Sequence, residues 1–252
     1  MPGRRIFTRT LLKRSVYLAV GVLLIGWLLN TPGGLLGKAD AIGYAVCHRI
    51  AVRSFFLGER QLPLCARCSG MYLGAMLGLA YQAILSPRRG GLPTRGVLGV
   101  IIFFVLAFVV DGLNSFLSFF PGAPLLYSPA NWSRLVTGTG MGIAIAVALY
   151  PAFTQTVWAD QDARPAQPGL RAMAGLLLLA GLVDLLLLSN NPLLLYPLAL
   201  ISAAGVLVLL TMAYSMVWVM FLRAENSYQR FSQMLFPLVG GFGFALLQIA
   251  LF

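Results

Sequence analysis

Residues 65–78, Cys-Ala-Arg-Cys-Ser-Gly-Met-Tyr-Leu-Gly-Ala-Met-Leu-Gly, join a Cys-x-x-Cys pair to an apolar segment that runs to Leu85. Gly70, Gly74 and Gly78 recur every four residues, so they share one face of a helix. Small residues at this spacing let two helix backbones approach closely within lipid. The stretch therefore predicts a membrane-spanning helix that packs tightly against a neighbour and carries two thiols at its N-terminal end.

The composition excludes an ordinary soluble protein. Hydrophobic residues make up 59% of the 252-residue chain and charged residues 10%, whereas about 25% of the residues in a soluble domain are charged. The net charge of +11 does not indicate nucleic-acid binding, because the basic residues are dispersed among apolar spans. We therefore expect a multi-pass integral protein of the cell membrane whose partner is the lipid bilayer, with no nucleic-acid partner.

Seven apolar segments are near or above the length needed to cross the bilayer core, which predicts an all-α, polytopic transmembrane helical bundle. A short interfacial helix is predicted at 41–56, before the second span, with Arg49 and Arg53 on one face. We expect one membrane domain over 1–252, with the cysteine/histidine loop and polar-site helices at 37–150 and the C-terminal helices at 171–252. The spans are predicted at 16–29, 69–85, 97–120, 133–150, 171–189, 198–222 and 231–252.

The distribution of basic residues predicts a cytoplasmic N-terminus. With this orientation, twelve of the 18 Lys and Arg residues fall on the inner side, including five in the leader that precedes the first span. An excess of basic residues marks cytoplasmic loops. The cysteine-containing segment then faces outward, at the start of the second span.

The fourth span repeats the small-residue pattern of the second. Gly138, Gly142 and Ala146 also recur every four residues. The second and fourth spans are therefore predicted to form a closely packed pair.

All three cysteines and the only histidine of the chain lie within 22 positions, as Cys47, His48, Cys65 and Cys68. These residue types supply the donor set of a tetrahedral zinc site, and zinc is the predicted cofactor. Cys65 and Cys68 lie near a helix N-terminus, where the helix dipole and the intervening Arg67 favour thiolates.

The same residues allow two other interpretations. Cys65 and Cys68 could form a redox pair with Cys47 as a relay thiol, which would make the protein a membrane thiol–disulfide oxidoreductase with a quinone-like partner. Alternatively, two cysteines form a structural disulfide and leave one thiol free. The sequence leaves these alternatives open.

Ionisable residues inside the membrane are costly and mark candidate functional sites. Asp111 and Arg134 are predicted to lie at similar depths on neighbouring spans and to form an ion pair, with Asn131 close to Arg134. We take Asp111, Asn131 and Arg134 as the candidate catalytic residues. Asp184 occupies a similar depth and has no obvious partner in the sequence.

These observations predict a zinc site beside an intramembrane Asp/Asn/Arg cluster. For an enzyme, we expect metal-assisted hydrolysis or transfer on a lipid-linked or other membrane substrate, with zinc-bound water as nucleophile, Asp111 as base or proton carrier and Arg134 as anion clamp. A non-enzymatic transporter or scaffold with structural zinc or a disulfide is the remaining class.

The motifs resemble domain-of-unknown-function family 2085, a family of predicted prokaryotic membrane proteins. The resemblance lies in Cys47-His48, in Arg53-Ser54-Phe55, and in residues 63–74, Pro-Leu-Cys-Ala-Arg-Cys-Ser-Gly-Met-Tyr-Leu-Gly. Asp111-Gly112, and Asn131 with Arg134 and Thr137-Gly138, are similar to its second and third blocks. The resemblance covers roughly residues 40–145, implies a multi-pass membrane protein and carries over no activity.

Overall fold

The computed structural model describes the backbone from Pro2 to Phe252 and the side chains from Leu11 onward. Over these residues the protein is a helical bundle with two small two-stranded sheets. The helices are α1 (Pro2–Asn30), α2 (Gly34–Val46), α3 (Ala66–Leu85), α4 (Arg95–Leu117), α5 (Asn131–Val157), α6 (Leu170–Leu188), α7 (Pro192–Phe221) and α8 (Leu235–Leu251); the strands are β1 (Ser54–Leu57), β2 (Arg60–Cys65), β3 (Arg89–Gly91) and β4 (Asp162–Pro165).

Seven helical segments are long and apolar enough to cross a membrane, which confirms the predicted all-α polytopic fold. Large apolar side chains such as Leu106 and Leu178 remain exposed along these spans, where they contact the bilayer. The protein is a multi-pass integral membrane protein; which end of the bundle faces the cytoplasm stays a prediction. The spans are Leu11–Asn30, Ala66–Leu85, Arg95–Leu117, Asn131–Val157, Leu170–Leu188, Pro192–Phe221 and Phe231–Leu251.

The segment before α3 differs from the prediction. The short helix α2 ends at Val46 rather than continuing to residue 56, because Cys47 is extended, with φ of −141°. Arg49 then adopts a left-handed conformation with φ of 47°. The chain then forms an antiparallel hairpin of β1 and β2, which turns at Gly58 with φ of 62°. The predicted helical face shared by Arg49 and Arg53 is therefore wrong.

The sixth span also starts earlier than predicted. Helix α7 begins at Pro192 and includes Pro197, which the sequence suggested as the end of a loop. Asn191 caps its N-terminus, because the Asn191 side chain accepts a hydrogen bond of 3.0 Å from the backbone N–H of Leu193. Proline at the first helical position fits this start.

Helices α3 and α5 pack backbone to backbone, as the glycine pattern predicted. A Cβ atom on Gly70 would lie 2.4 Å from the carbonyl oxygen of Leu135, and one on Gly142 would lie 2.0 Å from that of Met71. Carbon and oxygen atoms do not approach so closely, so these positions require glycine. The resulting contact brings the first turn of α3 against the N-terminal half of α5.

The two sheets lie at opposite ends of the bundle. The β1–β2 hairpin and α2 cover the end that contains the cysteines, whereas β3 and β4 pair in parallel at the other end. There, the exposed Asp160 pairs with Arg88, and Asp162 pairs with Arg164 at 2.7 Å. Such exposed ion pairs contribute little to stability.

Candidate thiol and arginine site

The three cysteines come from three different elements and meet at one point. Cys47 follows the last residue of α2, Cys65 ends β2, and Cys68 lies in the first turn of α3. Their sulfur atoms all lie within 4.8 Å of one another. In addition, the backbone N–H of Cys65 donates a hydrogen bond of 3.4 Å to the Cys47 sulfur. This thiol cluster can hold a metal ion.

A close contact between α2 and β2 brings Cys47 to the other two thiols. A Cβ atom on Gly43 would lie 2.0 Å from the carbonyl oxygen of Pro63, so only glycine allows the helix to lie against the strand. Asp40 of α2 then accepts hydrogen bonds from Arg49 at 2.9 Å and from Arg60 at 2.5 Å. These contacts tie the loop after Cys47 to the hairpin.

The pKa values of Cys47 and Cys65 are shifted in opposite directions. The pKa of Cys47 is lowered, chiefly because the thiols of Cys65 and Cys68 can donate hydrogen bonds to it. The pKa of Cys65 is raised by the same bond, in which its thiol is the donor. The hydrogen bonds among the thiols therefore favour a thiolate at Cys47.

His48 does not join the thiol cluster in this structure. Its side chain is exposed and lines the same cavity as the thiols. The group of ligand atoms that lie within 4.8 Å of one another consists of the three cysteine sulfurs and does not include a ring nitrogen of His48. Its role as a fourth ligand stays a prediction.

A cavity of about 440 Å³ adjoins the thiol cluster. Helix α4 contributes Gly112 and Phe116 to its wall, Phe119 lies just after α4, and α5 contributes Arg134. Of the three predicted catalytic residues, only Arg134 lines it within the described part of the chain. The full lining is Val46, Cys47, His48, Arg49, Ile50, Arg53, Cys65, Arg67, Cys68, Gly112, Phe116, Phe119 and Arg134.

The predicted Asp111–Arg134 ion pair is wrong. Asp111 instead pairs with Arg67, which lies between Cys65 and Cys68 in the first turn of α3. The hydroxyl of Tyr127 donates a hydrogen bond of 2.6 Å to the other carboxylate oxygen. Burial, and then this contact with the carboxylate, raises the pKa of Tyr127 to about 12, so the hydroxyl stays protonated. Arg67 displaces Arg134 as partner because Gly138 allows α5 to lie directly against the backbone of Arg67.

Arg134 has neutral partners only, among the side chains described from Leu11 onward. It donates hydrogen bonds to the amide oxygen of Asn131 at 2.9 Å and to the hydroxyl of Ser115 at 3.4 Å. Its side chain is buried, with 6% of its surface exposed. Asn131 also donates to the backbone oxygen of Ser54 at 3.4 Å, so it links Arg134 to the hairpin.

Sequence reasoning missed three members of the site. Arg53 was predicted on a face of the interfacial helix, Arg67 was considered only as an influence on the thiols, and Tyr127 lies in a loop without periodic pattern. Ser115 lies four residues after Asp111 on α4, so the two share a helical face, and both are buried. Helical period identifies which residues face inward but not which distant arginine reaches them.

Asp184 has a partner that the sequence did not indicate. The Thr139 hydroxyl of α5 donates a hydrogen bond of 2.7 Å to its carboxylate. Asp184 lines a separate, largely apolar cavity of about 730 Å³ between α4, α5 and α6. It is therefore not part of the thiol and arginine site.

The fold and the site define a class of polytopic membrane protein with a partly buried thiol cluster at one end of the bundle. Residues 47–148 match the family model described as a predicted membrane protein, DUF2085. This match confirms the resemblance found in the sequence motifs and covers every residue of the thiol cluster.

Two archaeal proteins are similar over the same part of the chain. An uncharacterized protein of Methanocaldococcus jannaschii is 26% identical over 119 residues, which are 47% of this chain and 70% of the relative. An uncharacterized protein of Methanothermobacter thermautotrophicus is 29% identical over 102 residues, 40% of this chain and 82% of the relative. No solved structure matches the chain.

Proposed function

We propose that the protein binds zinc through Cys47, Cys65 and Cys68 and uses it for metal-assisted hydrolysis or transfer on a membrane substrate. The observation that carries this proposal is the meeting of three thiols within 4.8 Å beside a cavity lined by arginine. Thiolates are preferred zinc ligands, and three protein ligands leave one coordination position for water or substrate. Bound zinc supplies a Lewis acid at the wall of the cavity.

The arginines and their partners then have distinct tasks. Arg134 neutralises negative charge on the substrate, and Asn131 orients its guanidinium through the 2.9 Å hydrogen bond. Both carboxylate oxygens of Asp111 are engaged, by Arg67 and by Tyr127, so we assign Asp111 to positioning Arg67 rather than to the role of base. In the reaction, water or an acceptor hydroxyl adds to the substrate, and its proton leaves with the departing group.

Thiol–disulfide exchange is the second candidate, because the same proximity also suits it. The three cysteines are free, and Cys65 and Cys68 are partly exposed. Oxidation of this dithiol to a disulfide would deliver two electrons and two protons to a quinone-like acceptor and give the hydroquinone. The two candidates differ in whether the resting protein holds a metal or a titratable dithiol.

Metal analysis of the purified protein, combined with thiol titration, separates these candidates. We expect about one zinc per chain and its loss in Cys65→Ser, because two thiolates rarely retain the ion alone. Ser69→Ala is a suitable control, since this neighbouring hydroxyl contacts only the backbone oxygen of Leu64 among the described residues. A metal-free protein with a reversibly oxidised Cys65–Cys68 pair would contradict the zinc proposal.

A His48→Ala variant decides the fourth coordination position. Because the His48 side chain is exposed, we expect unchanged zinc content and affinity, which would leave that position to water. A loss of affinity would assign the position to His48 and would make the site a closed, structural one.

A further inference from the structure

Three guanidinium groups converge on one buried residue of α4. Arg53 donates a hydrogen bond of 2.7 Å to the backbone oxygen of Ser115, and Arg67 donates one of 3.0 Å to its hydroxyl. Arg134 approaches the same hydroxyl at 3.4 Å. Like charges held so close together repel one another unless negative charge lies nearby.

The described part of the protein neutralises one of these three charges. Asp111 pairs with Arg67, whereas no carboxylate of residues 11–252 lies within 4.0 Å of Arg53 or Arg134. The pKa of Arg53 is accordingly lowered, first by burial and then by the neighbouring charge of Arg67. Two positive charges at the cavity are left without a partner in this part of the chain.

The thiol cluster cannot neutralise both charges. Three thiolates around a divalent metal carry a formal charge of −1, which offsets one arginine at most. The fourth arginine that lines the cavity, Arg49, has its own partner in Asp40 at 2.9 Å. A net positive charge therefore remains at the cavity wall even when the metal is bound.

We propose that Arg53 and Arg134 bind the phosphate group of a phosphate-bearing ligand in this cavity. The inference rests on the proposed function, since it names the substrate class of the same site. Guanidinium groups present paired donors that match the oxygens of phosphate, and two converging groups suit its two negative charges. The cavity, of about 440 Å³, has room for such a head group beside the thiols.

Two exposed aromatic side chains also line the cavity. Phe116, in the last turn of α4, is 57% exposed, and Phe119, just after α4, is 55% exposed, so both can contact lipid. The guanidinium of Arg53 lies 4.0 Å from the centre of the Phe119 ring. A phosphate bound here can therefore belong to a lipid whose chains stay in the bilayer or to a free anion from solution, and the two sources share the same chemistry.

Ligand binding to the purified full chain in detergent tests the proposal. The probes are phosphatidic acid in mixed micelles, diacylglycerol as its uncharged counterpart, and inorganic phosphate and pyrophosphate in solution. Arg134→Gln and Arg53→Gln each remove one guanidinium, and we expect each to weaken phosphate binding by about 10-fold or more, because a charge-assisted hydrogen bond is lost. Arg60→Gln is the matched control: Arg60 lies on the same side of the bundle, is 47% exposed and does not line the cavity.

The pattern across probes decides the outcome. Binding of phosphatidic acid but not diacylglycerol supports a lipid phosphate, and binding of the soluble anions alone supports a free phosphate. Equal binding of phosphatidic acid and diacylglycerol, or equal weakening by Arg60→Gln and Arg53→Gln, would overturn the proposal. If Arg134→Gln does not fold, the partly exposed Arg53 still provides this comparison.

Failure of the zinc proposal is visible separately. We expect Cys65→Ser, which loses zinc, to keep phosphate binding, because neither Arg53 nor Arg134 contacts a thiol directly among the described hydrogen bonds. Phosphate binding by wild-type protein that does not bind zinc would leave the anion site standing and refute the metal centre. A wild-type protein that binds zinc but no phosphate would support the metal centre and refute the phosphate site.

Discussion

Replacing Asp111 by Asn removes the carboxylate that faces Arg67 while keeping the shape of the side chain. Asp111 is buried, with 1% of its side chain exposed, whereas Arg67 keeps 20% exposed. The amide oxygen of Asn can still accept the hydrogen bond from Tyr127 but carries no charge. Arg67 would then remain unneutralised beside Arg53 and Arg134, which meet it at Ser115.

The burial of Asp111 sets the loss of folding stability that we expect in Asp111→Asn. Removing one partner of a buried ion pair costs about 3–5 kcal/mol. Because solvent reaches part of Arg67, we expect the lower end, about 3 kcal/mol. At roughly 2–4 °C per kcal/mol for a chain of this size, the midpoint of thermal unfolding should fall by about 6–12 °C. Thermal unfolding of the detergent-purified protein measures this shift.

Asp160→Asn provides the matched control. Asp160 also pairs with an arginine, Arg88, but 56% and 39% of the two side chains are exposed. An exposed pair contributes less than about 1 kcal/mol, so this variant should unfold near the wild-type midpoint. If the midpoints of the two variants agree within about 2 °C, the burial argument for Asp111 is refuted. The double variant Asp111→Asn/Arg67→Gln should recover part of the loss, since it leaves neither charge unpaired.

Two further predictions concern the packing of α5. Gly138→Ala should destabilise the protein by about 1–3 kcal/mol, because its Cβ would lie 2.2 Å from the carbonyl oxygen of Arg67; Gly99→Ala, where nothing lies within 4 Å, should leave the thermal midpoint unchanged or slightly higher. Thr139→Val removes the hydroxyl that donates to the buried Asp184 and should cost about 1–3 kcal/mol. Thr139→Ser, which keeps the hydroxyl, should retain most of the wild-type midpoint, and an equal loss in both threonine variants would contradict this role of the hydrogen bond.

Much of the architecture could be predicted because it depends on local composition. Apolar runs of sufficient length identify the seven spans whatever their partners. The four-residue spacing of glycines on α3 and α5 indicated their close contact, because spacing alone places Gly70 and Gly74 on one face. The clustering of Cys47, Cys65 and Cys68 was likewise visible in the chain and corresponds to the thiol cluster of the structure.

The predictions that were wrong concern the partners of long side chains and the conformation of loops. Helical rise placed Asp111 and Arg134 at compatible depths, but depth does not distinguish between two arginines that can both reach the carboxylate. Arg67 prevails because the first turn of α3 lies against α5 at Gly138 and faces α4. The β1–β2 hairpin was missed because the apolar pattern of the segment does not indicate the extended conformation of Cys47 or the left-handed conformation of Arg49.

By itself, the sequence determined that this protein spans the membrane and that its thiols lie together at the start of one span, because hydrophobicity and spacing are local properties of the chain. Only the tertiary structure decided which charges are neutralised. The cost of a buried charge depends on every group within a few ångströms, and these groups come from α3, α4, α5 and the hairpin. That arrangement gives Arg67 a carboxylate, leaves Arg53 and Arg134 without one in the described part of the chain, and places both beside the thiols.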